Sequence, residues 1–267
     1  SLVAEGGTDG VDIDYQSSAT TLAISWSGSD SVSGISKYEY ALGTTSGGTE
    51  VKTWTSTATV TSVSLSGLSL SDATKYYASV KATDKAGNVS AVITGDGITI
   101  DITAPTVGTV SDGTDGDISF TASSTTLYAQ WTGFKDATSG ITDYEYAIGT
   151  NSGGTDTKDW TSNGMDTTVT VTSLTLTSGQ VYYISVRATD LAGNVSSVIT
   201  TNGVTADLAG PIKGTVLDGL TADADWTTNT DTIRASWTGF TDPLSGIKKY
   251  QYCIGKSSGA SDVVDWT

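Results

Sequence analysis

An all-β chain of tandem β-sandwiches is the fold class this 267-residue sequence predicts. Three observations predict it: text returning at a fixed step, apolar alternation with period two, and no convincing helical stripe. Residues 75–90 read KYYASVKATDKAGNVS and residues 181–196 read VYYISVRATDLAGNVS, a recurrence at a step of 106 positions. Tyr38-Glu39-Tyr40 returns at that step as Tyr144-Glu145-Tyr146 and again as Tyr250-Gln251-Tyr252. Trp54, Trp160 and Trp266 keep the same spacing, as do Pro105 and Pro211. Trp26, Trp131 and Trp237 sit in ISWSG, AQWTG and ASWTG.

The repeat sets the expected domain organisation. Two nearly full modules, 1–103 and 104–209, precede the N-terminal half of a third, 210–267, with joints near DITAPT (101–106) and DLAGP (207–211). A period of 106 residues is too long for a helical solenoid and suits beads on a string.

Each strand follows from its alternation. Leu22, Ile24 and Trp26 share one face, with Ala23 and Ser25 opposite. Tyr38, Tyr40 and Leu42 share a face while Glu39 points away, and Val63 with Leu65 repeats the pattern. Tyr76, Ala78, Val80 and Ala82 mark the inward face of the returning stretch. Between these runs TTSGGT (44–49) and KAGN (85–88) carry turn chemistry. Several short antiparallel strands with inward aromatics make a sandwich.

The order of these landmarks resembles a fibronectin type III domain, an immunoglobulin-like sandwich. A Trp on the second strand, a Tyr-x-Tyr strand after it and a Trp beyond the next turn carry the resemblance. Gly67-Leu68 ahead of Tyr76, and Y-x-x-x-V-x-A after it, complete it. It covers essentially the whole chain and implies a tyrosine corner, with the Tyr76 and Tyr182 hydroxyls reaching backbone. Each unit departs from the family by an added N-terminal segment rich in Asp and Gly, such as SDGTDGDISF (111–120). Similar modules occur in long tandem arrays of bacterial surface proteins, so the resemblance implies a bacterial, extracellular or cell-surface setting. The family's integrin-binding Arg-Gly-Asp is absent.

Charge narrows the partners. Thirteen Lys and Arg stand against 29 Asp and Glu, a formal net charge of −16. Such a surface repels phosphate backbones, which argues against nucleic acid and makes divalent cations natural counter-ions; solubility alone is the plainer account. No apolar run is long enough to span a membrane, and no signal-peptide pattern opens the sequence. The single cysteine, Cys253, stands where other repeats have Ala41 and Ala147 and reads as a small strand residue.

Catalysis is not expected. There is no histidine, so the usual general base is missing and no Ser-His-Asp or Cys-His set can be assembled. The glycines of GTTSGGT lie in a strand-to-strand turn with no lysine or helix to cradle phosphate. Paired carboxylates could cleave glycosides, yet these aspartates sit on turns that recur in every bead, whereas a catalytic pair would be unique. No catalytic or cofactor-binding residue is assigned.

Metal is the sharper expectation. In this topology the turn after the second strand and the turn after the sixth share the pole where the chain enters. Asp101 from the linker, Asp136 from FKDATSG and Asp190 from TDLAGN then converge on oxygen-only ligation suited to Ca²⁺. The pattern recurs as Asp207 and Asp242 at the next joint and as Asp30 and Asp84 in the first module. The alternative is that Asp84 and Asp190 merely close Asx-type turns with their asparagine partners. A second cluster, Asp112, Asp115 and Asp117, ranks lower because its spacing is not kept in the other modules. Asn88 and Asn194 fit a glycosylation pattern or serve as hairpin asparagines.

Half a sandwich would leave its core open. Either the sequence is a window on a longer array, or a neighbouring subunit supplies the missing strands. The expected function is a non-catalytic extracellular repeat protein: stalk, surface fibre or filament, or adhesin shaft, with Ca²⁺ stiffening the joints. Its partners would be neighbouring repeats or subunits of the same protein, with a surface glycan or host cell-surface ligand as a further option. The alternative is an accessory fibronectin-type or glycan-binding module of a secreted carbohydrate-active enzyme, with Trp54, Trp160 and Trp266 as the aromatics to examine, although core packing after the third strand is their expected use.

Overall fold

Alternating apolar residues pair into strands here with no helix among the described residues, which are 3–6 and 11–267 of a computed structural model. In the first repeat the strands are β1 (Val3–Glu5), β2 (Tyr15–Gln16), β3 (Thr21–Trp26), β4 (Ile35–Gly43) and β5 (Lys52–Ser56). They continue as β6 (Ser62–Ser66), β7 (Thr74–Asp84), β8 (Ile93–Thr94) and β9 (Ile98–Ile100). One sheet has the order β1-β3-β6; the other runs β2-β9-β7-β4-β5, with β8 also on β7. This is the fibronectin type III arrangement of an immunoglobulin-like sandwich.

The second repeat holds β10 (Thr109–Ser111), β11 (Phe120–Thr121), β12 (Leu127–Thr132), β13 (Ile141–Gly149) and β14 (Lys158–Ser162). After them come β15 (Thr168–Val171), β16 (Val181–Asp190), β17 (Ile199–Thr200) and β18 (Val204–Ala206). Its sheets repeat the first: β10-β12-β15, and β11-β18-β16-β13-β14 with β17 on β16. The third, partial repeat pairs β19 (Thr215–Leu217) with β20 (Ser236–Thr238).

By compactness the chain divides into two units. The first is Ser1–Ser111 with Ala129–Val169 and Tyr183–Thr201; the second is Asp112–Tyr128 with Thr170–Tyr182 and Asn202–Thr267.

In the first unit the core is built by alternation across two facing sheets. Leu22, Ile24 and Trp26 of β3 cluster with Tyr38, Tyr40 and Leu42 of β4 and with Tyr76, Ala78 and Val80 of β7. The Trp26 ring meets Tyr38 edge-on at 6.0 Å and stacks on Tyr40 at 6.1 Å. Trp131 meets Tyr144 at 5.8 Å, and Phe134 reaches the same ring at 5.5 Å. Such ring pairs add about 0.5–1.5 kcal/mol beyond the area they bury. The long antiparallel pair β4·β7 sets Tyr38 opposite Ala82, Tyr40 opposite Val80 and Leu42 opposite Ala78, with one irregularity between Ile35 and Lys37. β13·β16 reproduces that register and places its irregularity between Ile141 and Asp143.

Some positions escape the period-two reading, Ala41 on β4 and Ser79 on β7 among them. Ser79 falls on the outward phase of β7 yet is fully buried. The TTSGGT turn folds over it: the Gly47 amide donates to Ser79 Oγ at 3.1 Å, and Thr94 Oγ1 lies 2.9 Å away. Trp54 and Trp160 also lie outside the core, on the outward side of the larger sheet. Lys81 Nζ sits 4.4 Å from the Trp54 ring and the Arg187 guanidinium 4.3 Å from Trp160. The same cations pair with Glu39 at 4.0 Å and Glu145 at 2.8 Å, giving both repeats an outer ladder of the same plan.

The second unit carries the Tyr182 corner and the partial repeat. Thr177 N–H donates to the Tyr182 hydroxyl at 2.9 Å, as Ser71 N–H donates to Tyr76 at 2.8 Å in the first unit. In the partial repeat Trp237 still stacks on Tyr252 at 6.3 Å, yet the two rings are 40% and 47% exposed. Cys253 is half-buried, with Sγ 3.6 Å from the Ala260 carbonyl.

Tyr76 is only 4% exposed, so Tyr76→Ala is expected to cost the first sandwich about 3–5 kcal/mol. Tyr76→Phe keeps the ring but strands the Ser71 amide, a loss of about 1 kcal/mol. Urea unfolding followed by tryptophan fluorescence measures both.

Candidate metal centre

All three carboxylates of the sequence-predicted trio belong to the first unit, and the fold gathers them. Asp101 directly follows β9; its amide donates to Gln16 O at 2.9 Å, holding the linker against the sheet edge. The side chain is fully buried: Oδ1 accepts the Thr103 amide at 3.1 Å, and Oδ2 has no hydrogen-bond partner.

Asp136 is placed by its turn. Its Oδ1 accepts three successive amides, Thr138 at 3.1 Å, Ser139 at 2.8 Å and Gly140 at 2.9 Å. Gly140 closes that ring of donors at φ +77°, a conformation glycine adopts without strain. Asp190 ends β16 at 1% exposure; Oδ1 takes the Asn194 amide and Oδ2 its side-chain nitrogen, both at 2.8 Å. Asn194 Nδ2 also donates to the Asp101 carbonyl at 2.8 Å, tying the linker to the turn. The Asx-type turn and the carboxylate cluster are therefore both present, and the asparagine of the glycosylation pattern is engaged twice. One oxygen each from Asp101, Asp136 and Asp190 lies within 4.8 Å of the other two.

Three acids in so small a volume repel one another. At about 4 Å and an effective dielectric near 20, two like charges cost about 4 kcal/mol. The ion pairs among the described residues join Lys37 and Lys81 to Glu39 and Arg187 to Glu145, and none reaches the trio. Buried charges are ordinarily paired or ligate a metal. An oxygen-only donor set on turns, with no histidine in the chain, fits Ca²⁺ rather than Zn²⁺. Ser139 Oγ is a further buried oxygen with no partner on this same turn.

The other expected ligands are placed differently. At the pole of the first sandwich Asp30, Asp84 and Asn88 line a cleft of about 250 Å³. Asp30 Oδ1 accepts Val32, Ser33 and Gly34 amides, and Asp84 binds Asn88 through both carboxylate oxygens. In the second unit Asp207 is 8% exposed with a partnerless Oδ2, while Asp242 is exposed and grips Leu244, Ser245 and Gly246 amides. Neither these four nor Asp112, Asp115 and Asp117 form a three-carboxylate group among the described residues. A second such group does exist, Glu5 with Asp12 and Asp96. Sequence reasoning passed over it because its members lie seven and 84 positions apart, outside the repeated text.

No family model matches the chain. Exoglucanase B of Cellulomonas fimi is 31% identical over 264 aligned positions, covering 93% of this chain and 21% of that protein. The chain thus spans about a fifth of the length of this curated relative. Among solved structures, the FN1–FN3 domains of chicken CNTN1 align with TM-score 0.41 and 17% identity over 73% of this chain and 65% of that one. Domains A168–A170 of titin align with TM-score 0.46 and 15% identity over 78% and 67%. No helix among the described residues is long and apolar enough to cross a membrane.

Calcium at one hundred times its dissociation constant is expected to stabilise the protein by about 2.7 kcal/mol. Scanning calorimetry in calcium and in EDTA should show that rise, and Asp101→Asn should reduce it. Acid tests the turns themselves. The Asn88 side chain first, then its amide, holds the Asp84 carboxyl below its ordinary 3.8; Gly34 and Ser33 amides do the same for Asp30. A depressed acid stabilises the fold above its unfolded value and loses that contribution as pH falls through the folded one. Ellipticity should therefore decline below about pH 3.8, and less in Asp84→Ala.

Proposed function

We propose that this chain is a non-catalytic, extracellular spacer, a string of β-sandwiches whose first joint is stiffened by Ca²⁺, within a polysaccharide-acting protein. The observation that carries this reading is Asp101: a linker carboxylate, fully buried, with an unpartnered oxygen, set against carboxylates from two turns of the following repeat. A cation there bonds the linker to both turns at once and removes the pivot between consecutive beads. The similarity to Exoglucanase B of Cellulomonas fimi favours a polysaccharide-acting parent over a free-standing surface fibre, filament or adhesin shaft.

A glycan-binding role is the second reading. It draws on the aromatics of the outer ladder, where Trp54 and Trp160 are half-buried beneath Lys81 and Arg187. A cation over the ring occupies the face a sugar would stack on, which favours the spacer.

Small-angle scattering in calcium and in EDTA tests the joint. Chelation should broaden the distribution of interatomic distances, and Asp190→Asn should show the broadened form in both conditions. Sedimentation with crystalline cellulose separates the two readings: the spacer stays in solution, whereas retention lost in Trp160→Ala would establish glycan binding.

A further inference from the structure

The first sandwich spends a buried carboxylate where the second spends a hydroxyl. In the second repeat Thr201 Oγ1 accepts the Ile184 amide at 3.1 Å, satisfying a donor in the interior. The equivalent donor in the first repeat is the Ala78 amide, which goes to Glu5 Oε1 at 3.0 Å. The residue at the threonine's place is Gly95, and a Cβ there would lie only 2.1 Å from Glu5 Oε2. Glycine makes the room that the carboxylate occupies.

The exchange leaves a surplus oxygen. Glu5 is fully buried, Oε1 performs the threonine's task, and Oε2 has no hydrogen-bond partner. Around it stand two more acids. Asp12 is fixed by its Oδ1, which accepts the Glu5 amide at 2.8 Å, and Asp96 follows Gly95 in the same turn. One oxygen each from Glu5, Asp12 and Asp96 lies within 4.8 Å of the others. Asp12 and Asp96 are exposed, so the group opens to solvent on one side and ends in a buried carboxylate on the other. We infer that Glu5, Asp12 and Asp96 form a divalent-cation site, selective for Ca²⁺ and separate from the Asp101 centre.

The donor set decides the metal. Three carboxylates with no nitrogen or sulfur ligand suit a hard ion, and two of them, exposed to solvent, accommodate the larger, less regular shell of Ca²⁺. Electrostatics agrees. Burial first, then the charges of Asp12 and Asp96, push the Glu5 carboxyl up to about 7, with the Ala78 and Gly97 amides opposing. A divalent ion reverses that balance by favouring the charged form of all three.

Terbium luminescence and equilibrium dialysis against calcium, on the whole 267-residue chain, test the site. The unaltered chain is expected to hold an ion that Asp96→Asn weakens at least tenfold, and Glu5→Gln should abolish it. Asp190→Asn should leave that ion in place. Asp96 is exposed, so its variant stays folded and informative should Glu5→Gln fail to fold. If Asp96→Asn and Glu5→Gln both bind as many ions as the unaltered chain with equal affinity, the site is refuted. It is equally refuted if Asp190→Asn alone removes all binding.

Discussion

The contact on which the sandwich depends is that between the β3 tryptophan and the two tyrosines of β4, and its counterpart between β12 and β13. These rings lie on opposite sheets, so their meeting fixes the spacing of the sheets and the phase of both strands together. A one-residue slip in either strand would turn the ring outward and unmake the core. The paired strands β4·β7 and β13·β16 then carry that phase to the far edge through equal registers. The partial repeat keeps the same ring geometry while its tryptophan is 40% exposed. The ring arrangement thus persists with the rings exposed, and burial is what turns it into stability.

Most of this was legible in the sequence because it is written in period two and repeated at a fixed step. Tyr76 and Tyr182 stand in text that recurs almost unchanged, and both act as corner acceptors. Asp101, Asp136 and Asp190 could be named because topology brings a linker and two turns to one pole. Ser79 could not be read as interior: its burial comes from a turn more than 30 residues away, a cost settled by tertiary contact rather than by alternation. Trp54 and Trp160 were expected in the core, yet they lie outside it. Lys81 and Arg187, two strands across, provide their cover. Glu5 was hidden for a different reason. Only comparison of the Ala78 and Ile184 donors shows that it replaces Thr201.

The repeats are alike in architecture and unlike in where they put charge. At the second pole a linker carboxylate completes a trio; at the first, Asp30 and Asp84 border a cleft. Glu5 fills a place that Thr201 fills with no charge at all. The same scaffold thus accepts acids into its interior at some beads and omits them at others, because the strand pairing is borne by backbone and apolar side chains.

The turn that holds Asp136 is built on one oxygen of that side chain. Its Oδ1 is committed to three amides, as in the equivalent turns of Asp30 and Asp242, whether or not anything is bound. The loop's shape is therefore settled by its own amides, and the remaining oxygen takes no part in holding it. Replacement by asparagine would preserve the loop and silence the charge. Charge can in this way be set bead by bead at the same turn, with no alteration to the beads themselves.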